Sequence, residues 1–176
     1  MKPCITLFAD ASSSPERESA GWGAWWKGDE RPSMTAGGPV DSWHKSMCVL
    51  ELAALALAME TAEARRYFRA SDALVLLQSD NLSALCALRQ AHPAIQENRH
   101  AEGARTFPRS KKPCERICEC TGRILAVADR QGVALSVRHV RGHKDGGGRN
   151  WVNRMCDSLA KEGRRAAERA NAGGVA

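Results

Sequence analysis

The chain predicts an α/β fold built on a five-stranded mixed sheet, with antiparallel strands 1–3, parallel strands 4 and 5, and flanking helices. Three observations carry this expectation. The segments follow one another as three strands, helix, strand, helix, an irregular segment, helix, strand and helix. A turn signal at Gly28-Asp29 lets the opening strands meander antiparallel. The later strands are separated by helical segments, which serve as crossovers between parallel neighbours.

Residues 3–10 read as the first strand, where Ile5-Thr6-Leu7-Phe8-Ala9 runs into a single carboxylate, Asp10. Ser12 to Ser19 is polar, contains Pro15, and reads as a loop. Ala20-Gly21-Trp22-Gly23-Ala24-Trp25-Trp26 reads as the second strand, its glycines alternating with larger residues as close packing requires. A third strand follows near Ser33 to Val40. Trp22, Trp25, Trp26 and Trp43 are expected in core and sheet packing. Residues 46–69 predict a long helix, with Leu50, Ala53, Ala54, Leu57, Ala58 and Thr61 forming a stripe at helical spacing. Glu51 lies in its first turns beside the stripe, while Glu60, Glu63, Arg65 and Arg66 fit a solvated face.

Leu74-Val75-Leu76-Leu77, bounded by Gln78-Ser79-Asp80, suits a strand buried on both faces. Residues 81–90 predict a helix capped by Asp80 or Asn81 and interrupted at His92-Pro93. The segment 93–113 is the least regular and sets Arg99, Arg105, Arg109, Lys111 and Lys112 against Glu97 and Glu102. A helix over 114–130 and a strand over 133–140 follow. Residues 141–149 form a glycine-rich loop carrying His143, and the closing helix runs from 150 to about 170 with Asp157 in its first half. One domain is expected over 1–170, with 171–176 a flexible tail.

A length of 176 residues with 43% hydrophobic content supports a substantial core and excludes general disorder. No apolar run approaches the ~20 residues a bilayer span needs, and no signal peptide opens the chain. A soluble cytoplasmic monomer without membrane contact is the expectation. The net charge of +6 suits contact with phosphate backbones but does not single it out. Seven cysteines, an odd number, argue for reduced thiols. Cys114, Cys118 and Cys120 are spaced C-x3-C-x-C, which suits small buried hydrophobes better than zinc ligands.

Asp10 and Asp80 both close strands, and ligand sites of open α/β sheets form at such ends. Glu51 and Asp157, from two helices, can reach the same point. Taken singly, each acid has an ordinary structural role at a strand end, a helix dipole, a cap or the surface. Brought together they repel, their pKa values rise, and a divalent cation relieves the repulsion. Hard oxygen ligands suit magnesium or manganese.

The motif series resembles the type 1 ribonuclease H family. It comprises Ile5-Thr6-Leu7-Phe8-Ala9-Asp10-Ala11-Ser12, Gly21-Trp22-Gly23-Ala24, Glu51-Leu52-Ala53-Ala54 and Gln78-Ser79-Asp80. Val140-Arg141-Gly142-His143 and Asn153-Arg154-Met155-Cys156-Asp157-Ser158-Leu159-Ala160 complete it, so the resemblance covers residues 3 to about 165. It implies hydrolysis of the RNA strand of an RNA–DNA hybrid, leaving a 5′-phosphate and a 3′-hydroxyl. It implies that Asp10, Glu51, Asp80 and Asp157 hold two Mg2+ ions with substrate, Asp10 bridging and Mn2+ able to substitute. His143 matches the family's loop histidine, linked to proton handling and product release. Ser12, Asn81 and Asn153 fall at nucleic-acid-contacting positions, and the basic residues of 93–113 fall where some bacterial members carry a DNA-gripping protrusion.

Three departures mark this chain. Met47 and Cys48 stand where the family approaches its glutamate with asparagine-rich sequence, Leu82 replaces a polar residue, and Ala11 replaces glycine. The polar residues missing at the first two of these places help sense RNA 2′-hydroxyls, whereas the change at Ala11 is mild. They motivate a second reading, a structure-specific DNA nuclease such as a junction resolvase on the same fold. A third is a non-catalytic nucleic-acid-binding module, which has no need of four uncompensated carboxylates.

Overall fold

The computed structural model describes residues 4–92, 95–97, 114–140 and 151–173. Strands β1 (Cys4–Ser14), β2 (Ser19–Gly28) and β3 (Met34–Pro39) are followed by α1 (Met47–Ala64), β4 (Leu74–Ser79) and α2 (Leu82–Ala91). A two-residue strand β5 (Gln96–Glu97), α3 (Glu115–Gln131), β6 (Ala134–His139) and α4 (Trp151–Gly173) complete the order. The sheet runs β3-β2-β1-β4-β6-β5. β1, β2 and β3 pair antiparallel, whereas β4 lies parallel to β1 and β6 parallel to β4. The five strands expected are present in the expected sense, and β5 adds a short parallel edge against β6. Two residues carry no periodicity, so nothing in the sequence announces that edge.

β1 is longer than its apolar run. Ser12, Ser13 and Ser14 pair with Gly21, Ala20 and Ser19, so the expected loop shrinks to a 3-10 turn at Pro15–Arg17. Backbone ladder bonds need no apolar side chains, and polar residues extend a hairpin as well as apolar ones. α1 stops at Ala64 rather than 69, with Arg66 in the left-handed region at φ 54. Gly132, at φ 65, ends α3 in the same conformation, which glycine adopts without steric cost.

α1 carries no single apolar stripe. Val49 to Ala56, Ala58, Met59 and Ala62 are all buried, because the helix packs on β1 and β2 and is covered by α2 and α3. Its supposed solvated face also has partners. Arg123 on α3 grips Glu60 through Nε at 2.8 Å and Nη2 at 2.6 Å. Arg130 grips Glu63 through Nε at 3.0 Å and Nη2 at 2.6 Å. Trp22 and Trp26 are buried as expected, whereas Trp25 and Trp43 are only half-buried. Cys120 is buried, but Cys114 and Cys118 are exposed, so the small-hydrophobe reading fails for those two. Among the described residues the three form no metal-binding group.

α4 packs on β1, β2 and β3. Its buried seam is Asn153, Cys156, Ala160 and Gly163, small residues at helical spacing. A Cβ on Gly21 or Gly23 would strike the α4 backbone, and one on Gly163 would strike the carbonyl of Gly38. The contact is therefore backbone against backbone, which locates α4, and the acid it carries, on the face of Gly23. A buried ion pair braces the other end of the sheet. Arg31 Nη2 lies 2.6 Å from Asp72 Oδ1, and Nη1 donates to the Tyr67 carbonyl at 2.6 Å. Among the described residues no helix is long and apolar enough to cross a membrane.

Candidate active site

Register places the first and third acids side by side. Phe8 pairs with Gln78 at the end of the β1–β4 ladder, so two residues further on Asp10 and Asp80 stand level. β4 ends at Ser79 while β1 continues to Ser14. From Asp10 onward β1 has therefore lost its β4 neighbour, and Glu51 enters the gap from the first turns of α1. The backbone N–H of Ala11 donates to Asp10 Oδ1 at 2.9 Å and to Glu51 Oε1 at 3.4 Å. Ligand atoms of Asp10, Glu51 and Asp80 lie within 4.8 Å of one another. Asp10 is 8% exposed and Glu51 3%.

Such a cluster is electrostatically costly. Burial pushes the Asp10 carboxyl up to about 6, and the charges of Asp80 and Asp157 add to the effect. Burial, then the charges of Asp10 and Asp80, hold Glu51 well above the usual carboxylate range. Among the described residues no ion pair involves Asp10, Glu51 or Asp80. The donor set is all carboxylate oxygen, and its excess negative charge calls for protons or a hard cation. A divalent ion of the magnesium class fits these residues.

Asp157 lies outside this tight group. It is half exposed on α4, and its Oδ2 accepts from Lys161 Nζ at 2.7 Å. Its neighbour Cys156 is buried with its thiol raised, first by burial and then by the Asp10 charge, and its sulfur faces the Phe8 carbonyl at 3.9 Å. Asn153, one turn earlier, is 9% exposed, and its Oδ1 has no hydrogen-bond partner among the described residues. Asn81, rather than Asp80, caps α2, its Oδ1 accepting from the Ala84 N–H at 3.0 Å. Ser12 sits half-buried opposite Gly21, two residues beyond Asp10. His143, Arg99, Arg105, Arg109, Lys111 and Lys112 lie outside the described residues.

Two residues to which the sequence assigned no role meet the cluster. Ser79 is fully buried, and its hydroxyl donates to Glu51 Oε2 at 3.0 Å while accepting the Asn81 N–H at 3.0 Å. His139 Nε2 lies 2.9 Å from the Asp80 carbonyl oxygen. Ser79 adjoins an acid, which is a hint of sorts, but His139 stands in an ordinary strand and carries no local signal. Beneath them, with its amide oxygen turned to the guanidinium, Gln78 accepts from Arg138 Nε at 3.0 Å.

A family model for RNase H matches residues 2–165. Comparison with curated protein sequences gives no match. Solved structures share the fold. RNase H1 from the halophilic archaeon Halobacterium salinarum NRC-1 is 16% identical with a TM-score of 0.62, covering 93% of this chain and 99% of its own. The N-terminal RNase H domain of rv2228c from Mycobacterium tuberculosis, solved as a fusion with maltose binding protein, is 14% identical with a TM-score of 0.62, covering 96% and 98%. LC11-RNase H1, solved in complex with RNA/DNA hybrid, is 16% identical with a TM-score of 0.60, covering 93% and 98%. With the family's model spanning residues 2–165 of the 176, the chain belongs to the ribonuclease H family.

Proposed function

We infer that the protein is a metal-dependent ribonuclease H that hydrolyses the RNA strand of RNA–DNA hybrids, releasing 5′-phosphate and 3′-hydroxyl ends. One observation carries the reading: Asp10, Glu51 and Asp80 converge within 4.8 Å without a cationic partner among the described residues, in a chain of this family. The hybrid bound to LC11-RNase H1 is the substrate class we assign to this chain.

Asp10, Glu51 and Asp80 would hold Mg2+, with Asp157 completing the set for a second ion and Mn2+ able to substitute. Bound there, the cations supply Lewis-acid charge to the attacking water and the leaving oxygen. The chain's own groups supply the alignment. The Ala11 N–H orients Asp10 and Glu51 together, and Ser79 fixes the second Glu51 oxygen. Lys161 holds the Asp157 carboxylate at the exposed rim. We assign His143 to proton transfer at the leaving 3′-oxygen, on the strength of its motif. Ser12, Asn81 and Asn153 are assigned to the substrate backbone, and Arg99, Arg105, Arg109, Lys111 and Lys112 to phosphates of the DNA strand. A cytoplasmic monomer is consistent with this role.

The test is cleavage of labelled RNA–DNA hybrid, double-stranded RNA, double-stranded DNA and four-way junction under Mg2+ and Mn2+. Cutting of the hybrid alone, lost in Asp10→Asn and Asp80→Asn, is expected. Junction cutting without hybrid cutting would move the assignment to a resolvase. Binding without cleavage under either metal would make the chain a binding module.

A further inference from the structure

We propose that His139 is a positioning residue of the acid cluster, its ring N–H holding the Asp80 backbone carbonyl and thereby aiming the Asp80 carboxylate at a divalent cation. The proposal rests on the reading of Asp80 as a cation ligand.

The last ladder bond between β4 and β6 runs from the Val140 N–H to the Ser79 carbonyl at 3.0 Å. Asp80 comes next, in the bend between β4 and α2, where its own carbonyl has left the sheet. The helix that follows does not recover it. Leu85 N–H goes to the Asn81 carbonyl, and Ala84 N–H, which α-helical geometry would direct at residue 80, is taken by the Asn81 side chain. His139 Nε2 fills the place at 2.9 Å. A carbonyl oxygen only accepts, so Nε2 carries the proton. β6 thus extends the pairing by one further rung with a side chain instead of backbone.

The other end of the same peptide unit is held as well. The Asn81 N–H donates to Ser79 Oγ at 3.0 Å, and that hydroxyl donates onward to Glu51 Oε2 at 3.0 Å. The 80–81 peptide is therefore clamped at its oxygen by His139 and at its nitrogen by Ser79. A peptide plane fixed at both ends fixes ψ of Asp80, which leaves the carboxylate only its side-chain torsions. Ser79 and His139 are level in the β4–β6 register, so the clamp is a product of strand pairing. Partners that hold a ligating residue in place tune cation affinity, typically by about 10–100-fold.

The test compares wild type, His139→Phe, His139→Gln and Asp80→Asn. Mn2+ affinity is measured by calorimetry without substrate, and kcat and KM on hybrid are measured separately. His139→Phe keeps a planar ring without the donor. It is expected to weaken Mn2+ binding on the order of tenfold and to lower kcat, with KM for hybrid within about twofold of wild type. His139→Gln, whose amide N–H replaces the donor, is expected to recover most of the affinity. Wild-type Mn2+ affinity in His139→Phe, with binding lost in Asp80→Asn, overturns the role of His139 and leaves the metal reading intact. Unchanged affinity in Asp80→Asn overturns the metal reading itself. If His139→Phe fails to fold, His139→Leu, which also lacks the donor, decides: a loss on the order of tenfold that His139→Gln recovers supports the clamp, and wild-type affinity overturns it.

Discussion

Asp10 and Glu51 share one backbone donor. The Ala11 N–H points at Oδ1 of the first at 2.9 Å and Oε1 of the second at 3.4 Å. Burial deprives both carboxylates of solvation, and one shared N–H does not make good the loss, which governs the behaviour of the site without a cation.

Asp10 titrates at about 6 in the folded chain, against an ordinary value of 3.8. A raised native pKa means that the folded state binds the proton more tightly than the unfolded chain. The resulting stability is present below about pH 4 and is lost as pH climbs through about 6, at most about 3 kcal/mol for a two-unit shift. Glu51 acts in the same direction. Urea unfolding of the metal-free protein should therefore show stability falling between about pH 4 and pH 7. Asp10→Asn should flatten that fall, raise stability at neutral pH and abolish cleavage. A variant as pH-sensitive as wild type would contradict the shift, and one that still cut hybrid would contradict the role.

Ser79→Ala removes the hydroxyl that donates to Glu51 and accepts from Asn81. The expected cost to folding is about 1 kcal/mol. The expected cost to Mn2+ affinity is larger in proportion, on the order of tenfold, because Glu51 loses a bond that favours its charged form. Ser79→Thr, which keeps the hydroxyl, should recover affinity. Calorimetry on the two variants separates these outcomes, and equal affinities would remove Ser79 from the site.

Gly163→Ala places a methyl group against the Gly38 carbonyl, backbone that cannot move aside cheaply. Destabilisation of about 1–3 kcal/mol is expected. The strain also lifts α4 and with it Asp157, so cleavage should fall while Mn2+ binding by Asp10, Glu51 and Asp80 changes little. A variant with native stability by urea titration would show that the seam has slack.

Lys111→Ala combined with Lys112→Ala tests the basic segment. If both lysines meet phosphates, hybrid binding should weaken and the slope of log affinity against log salt should become shallower by about 1–2. Measurement across a salt series decides the matter. An unchanged slope would leave those lysines as a solvated face.

Much of the fold was legible because its signals are local. The apolar runs of β1 and β4, the alanine and leucine content of α1, and the glycines of β2 each declare an element within a few residues. Errors arose where an element is made by its partner. Ser12–Ser14 extend β1 because β2 lies alongside, and β5 exists because β6 offers an edge. Glu63 on α1 lies at the solvated surface as expected, but its ion pair with Arg130 exists only because α3 lies alongside.

The site divides in the same way. Element order by itself gave the sheet and strand-end position the acids in question, and the motif series carried the resemblance that the family model bears out, because carboxylate identity is written along the chain. Only the tertiary structure decided which acids meet. Register set Asp10 level with Asp80, and the early end of β4 opened the gap that Glu51 fills, while Asp157 remained at the rim beside Lys161. It also decided that Ser79 and His139 hold the cluster. Their partners lie 28 and 59 residues away along the chain, and hydrogen bonds act over about 3 Å, so strand pairing is what brings them into reach.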